Sequence, residues 1–187
     1  MKTGKKVFVV WIIIMFLATF TCSLVYVVSQ QTLRLGANDL PTTLAAETAI
    51  KLQNGQSASD AVPAEKVDAS KSLNTFVMIY DKDKNLIASS GTMGASQPVY
   101  PPGVLGNVDQ KGEARVTWQP KAGLRYASVA IKYDNGYIVA ARSLHETEKL
   151  IGIAQNLILL AWLACAVFSA LVLVLFYLFF IKAKKAR

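Results

Sequence analysis

Two stretches without a charged residue frame the chain, residues 7–28 and residues 157–181. They are 22 and 25 residues long, and about 20 residues of helix cross the hydrocarbon core of a bilayer. The pattern therefore predicts two membrane-spanning helices. Between them the apolar positions fall into short runs and alternations broken by turn residues, the pattern of a folded α+β domain.

The most informative of these runs is Phe76-Val77-Met78-Ile79-Tyr80, five apolar side chains in succession. Such a run predicts a strand covered on both faces. Asp81 to Asn85 is too polar to bury and rich in turn formers, Leu86-Ile87-Ala88 resumes the apolar pattern, and Ser89-Ser90-Gly91 ends it. A hairpin at the centre of the domain is predicted.

Ahead of the hairpin, residues 29–39 continue the first span as a helix for about two turns. Pro41 then opens a second helix over 42–53, with Ala45, Ala49 and Leu52 on one face and Gly55 as its stop. Residues 55–72 are small, polar and aperiodic, and read as a surface connection. After the hairpin, residues 92–111 carry Pro98, Pro101, Pro102, Gly94, Gly103 and Gly106. The expectation there is a long loop with neither regular strand nor long helix, of the kind that often carries function.

Three more strands follow. Residues 112–118 alternate, with Ala114, Val116 and Trp118 on one face, and 124–133 place Ala127, Val129 and Ile131 together. Asn135-Gly136 signals a tight primed turn into a returning strand over 137–142. The sheet thus has five strands, mainly antiparallel. Ser143 to Glu146 fits a capping box, and one helix is expected from 144 to about 182. Leu144, Thr147, Ile151, Ala154 and Ile158 form a stripe on it suited to another helix.

Composition adds topology. The net charge is +8, yet residues 30–150 hold 13 bases against all 12 acids. The excess is Lys2, Lys5, Lys6, Lys182, Lys184, Lys185 and Arg187, all flanking the apolar runs. That placement predicts both termini in the cytoplasm and the central domain outside it, with the tails near anionic headgroups, and it argues against nucleic acid as a partner. The organisation is a basic lead 1–6, a span 7–28, an extracytoplasmic domain 29–150, a span 151–181 continuous with an exit helix from 144, and a basic tail 182–187. The first span is longer than a signal core and lacks a small-x-small site, so a retained anchor is expected.

Chemistry is sparse. Both cysteines, Cys22 and Cys165, lie in the apolar runs, leaving no disulfide or cysteine metal site for the domain. His145 is the single histidine, which excludes a multi-histidine metal site within one chain. It reads as a solvated or capping residue, with proton sensing as the alternative. Asp81 and Asp83 alternate with Lys82 and Lys84 and read as a solvated turn, and Ser89-Ser90-Gly91 lacks the partners that a nucleophile needs. No enzyme, metal or cofactor is expected. In the spans, Thr19, Thr21, Cys22, Ser23, Cys165 and Ser169 would let helices approach closely.

The segments FVMIYDKDKNLIASSG at 76–91 and GYIVAARSLHETE at 136–148, set between two spans, resemble the extracytoplasmic PAS-like or Cache-type sensor domains of bacterial two-pass signalling receptors, including many histidine kinases. The resemblance implies a bacterial inner-membrane protein with a PAS-like domain flanked by transmembrane helices. In such folds a cavity lies between one sheet face and the long loop, so Tyr100, Trp118, Arg125, Tyr126 and Arg142 are the expected ligand-binding residues, suited to a carboxylate or other anion. With residues 182–187 after the second span, no kinase, cyclase or methyl-accepting segment is expected there. A message would pass to a separate membrane protein, such as a sensor kinase or transporter, with homodimerisation through the membrane-proximal helices. The alternative is an interaction or assembly subunit that binds no small molecule.

Overall fold

The computed structural model describes residues 3–185; Lys2 and Arg187 of the basic flanks lie outside the described residues. The chain forms two compact units. Leu33–Lys149 is an α+β domain, and the helical segments before and after it form the other.

In the helical unit, α1 (Thr3–Gly36) and α5 (His145–Lys185) are each long and apolar enough to cross a membrane. They run antiparallel, since Met15 neighbours Ser169 and Thr19 neighbours Trp162. The indole Nε1 of Trp162 donates to the Thr19 hydroxyl at 2.9 Å, and that hydroxyl donates to Met15 O at 2.8 Å. Both polar groups are thereby satisfied inside the unit, as an apolar medium demands. Of the small or mildly polar span residues, Thr19 and Ser169 are used this way, whereas Cys165 is exposed.

In the domain, α2 (Asp39–Gln53), α3 (Ala58–Ala61) and β1 (Val67–Asp68) precede β2 (Phe76–Asp81), β3 (Leu86–Ser89) and β4 (Gly91–Thr92). Then come α4 (Pro102–Lys111), β5 (Glu113–Lys121), β6 (Leu124–Tyr133) and β7 (Gly136–Ser143). The main sheet is five-stranded and antiparallel throughout, in the order β3-β2-β7-β6-β5. The five-residue apolar run forms β2, next to the centre, and every residue of it is buried. Phe76, Met78 and Tyr80 face α4 and the segment before it, while Val77 and Ile79 face α2 and α3. Two cores of opposite sides thus share one strand.

Four local expectations change. The connection over 55–72 contains α3, capped by the Ser57 hydroxyl accepting from Asp60 N, and β1, which pairs parallel with β4. Asp68 holds it in place by accepting from Ser70 N, Ser70 Oγ and Gly94 N. The 92–111 stretch is not loop throughout, because α4 occupies its second half. Pro102 suits its first turn, Gly112 ends it at φ 76°, and Leu105 and Val108, three apart, bury one face.

The third change is at the β6-β7 turn: neither Asp134 nor Asn135 has a positive φ, Lys84 in the β2-β3 turn being the single non-glycine residue that does among those described, so they do not make a primed turn. Gly136 is needed for another reason: a Cβ there would lie 2.0 Å from the carbonyl oxygen of Tyr80 on β2. The fourth is the start of α5, where the Ser143 hydroxyl accepts from His145 N at 3.3 Å, one residue earlier than a capping box requires.

Candidate recognition groove

Side-chain alternation decides how the expected ligand residues fall. Trp118 on β5 stands opposite Tyr126 on β6, and both point to the α4 side of the sheet, where they meet Phe76 and Tyr100. Ring centroids are 5.4 Å apart for Tyr100 and Trp118, 5.4 Å for Trp118 and Tyr126, and 5.7 Å for Phe76 and Tyr126, the last edge to face. Such geometries are favourable beyond the area they bury.

The polar atoms of this cluster are matched. Tyr126 donates its hydroxyl to Ala69 O at 2.6 Å, which ties β6 to the connection after β1. Ser128 donates to Val116 O at 3.0 Å, so the 3.0 Å contact between Tyr100 and Ser128 has Tyr100 as donor. Burial pushes the phenols of Tyr100 and Tyr126 upward, and that of Tyr80, beside Met78 Sδ, to about 12. All three remain neutral at physiological pH.

Arg125 and Arg142 are next to core residues of this face in sequence, and alternation therefore turns them to the other side of the sheet. Arg125 pairs there with Glu148 at the start of α5. Arg142, opposite Ala127, is half-buried. The five expected residues do not form one site: three aromatics fill the core on one face and two arginines lie on the other.

What opens to solvent beside the aromatic cluster is a groove of about 450 Å³. One wall is residues 99–102 and Val104, the other is residues 116–120 of β5, and Tyr100 and Trp118 reach it from below. β5 is the sheet edge, hydrogen-bonded to β6 alone. Lys132 N donates to Gly112 O, which sets the phase of the ladder, so Ala114, Val116 and Trp118 bond inward. Glu113, Arg115 and Thr117 consequently direct their N–H and C=O groups outward. Of these three only Thr117 lines the groove, so the apolar, proline-rich walls meet the outer edge of β5 at that residue.

The remaining polar clusters hold the fold together. Asp81 accepts from Asn85 N at 2.7 Å and from Asn85 Nδ2 at 3.1 Å, and these bonds lower its pKa. Ser90 Oγ, fully buried, accepts from Val77 N at 2.9 Å, and Ser89 bonds both N and O of Gly91. Asp109 on α4 accepts from Lys132 Nζ at 2.8 Å and from the Tyr137 hydroxyl at 2.6 Å. The lysine and the phenol hold that carboxyl below its usual range. Sequence reasoning missed this last cluster because its three members lie on α4, β6 and β7, with no spacing to betray them. Among the described residues, no three His, Cys, Asp or Glu side chains converge to hold a metal. No protein-family model, curated protein or solved structure matches the chain.

Proposed function

We propose that this chain is a two-span bacterial inner-membrane protein whose extracytoplasmic α+β domain, of PAS-like or Cache type, docks a separate membrane protein at the β5 groove. The observation that carries this reading is the filled aromatic face. The space where an internal ligand would sit is taken by Phe76, Tyr100, Trp118 and Tyr126, with the hydroxyls of Tyr100 and Tyr126 satisfied, and the opening lies outside it at an unpaired strand edge.

The membrane assignment draws support from the helical unit. Phe16 is 70% and Phe168 71% exposed, and apolar surface on that scale calls for lipid or partner helices. Both termini are cytoplasmic in this reading. Reporters fused before Met1 and after Arg187 that fluoresce only when folded in the cytoplasm test the orientation; activity of an exported-only reporter at either end refutes it.

A second reading, a sensor of a small molecule that signals through the same partner, is favoured by the groove volume and its two aromatic side chains. Thermal-shift screening of the full chain against a broad metabolite set separates the two. A ligand-induced shift that Trp118→Ala abolishes selects the sensor. No shift, with crosslinks from photoreactive residues at Thr117 and Gln119 to one membrane protein that disappear in Trp118→Ala, selects the docking module.

A further inference from the structure

We draw no further inference here: the strongest candidate, the outer edge of β5 at Glu113 and Arg115, has those two charges already paired with each other, and nothing in the structure shows what covers it.

Discussion

Phe76 and Phe168 are the same side chain in opposite surroundings. Phe76 is fully buried against the rings of Trp118 and Tyr126, whereas Phe168 on α5 is 71% exposed. The domain hides its apolar residues from water with its own chain. The helical unit leaves them for another medium to cover. Polar groups divide likewise: in the domain they bond across strands and connections, as Tyr126 does to Ala69, while on α1 Thr19 returns its proton to its own helix and offers its oxygen to Trp162. Composition differs as well, since all 12 acids lie in residues 30–150 and neither apolar run carries a charge. What also differs is whether apolar positions alternate with polar ones or run on unbroken.

The largest expected effect tests that contrast directly. Phe76→Ala should lower the stability of the domain by about 3–5 kcal/mol, followed by Trp118 fluorescence in denaturant titrations of the full chain in detergent. Phe168→Ala should leave the same transition where it was, and an equal loss there would break the comparison. Next is Gly136→Ala, which drives a Cβ into the Tyr80 carbonyl and should cost roughly 1–3 kcal/mol. Gly152→Ala, with open space around it, should be neutral or slightly favour helix.

A smaller effect belongs to the helical unit. Thr19→Val removes the acceptor of the Trp162 indole, and hydrogen bonds between membrane helices are worth about 0.6 kcal/mol on average. A red shift in Trp162 emission in a Trp11→Phe, Trp118→Phe background, with recovery in Thr19→Ser, would sharpen the assignment. The subtlest is a pH dependence. Asp109 has a folded pKa below its ordinary value of 3.8, so its contribution to stability is complete above that value and is lost as pH falls through the folded pKa. The midpoint of thermal unfolding should decline below pH 4, and Asp109→Asn should flatten that decline.

Local pattern carried most of the architecture. The unbroken run at Phe76 to Tyr80 predicted a strand covered on both faces, and the structure puts α2 and α3 on one side of it and α4 on the other. Where the reading failed, two local signals competed. The glycines and prolines of 92–111 outweighed the three-residue spacing of Leu105 and Val108, although Pro102 and Gly112 are start and stop signals of the helix that forms there. Asn135-Gly136 resembles a primed turn, but the neighbouring strand β2 explains the glycine.

The candidate ligand residues show what lies beyond sequence. Chemical type, with the cavity that the resemblance implies, grouped Tyr100, Trp118, Tyr126, Arg125 and Arg142. Which side of a sheet each occupies follows from register, and register depends on partners far along the chain, as between Trp118 and Tyr126 or between Ala127 and Arg142. By itself the sequence determined the five strands of the main sheet, α2 and the two long apolar helices, because those depend on periodicity within a few residues. Only the tertiary structure decided that the aromatics fill a core, that the arginines lie behind it, and that a groove opens at the β5 edge, because those depend on which distant strands become neighbours.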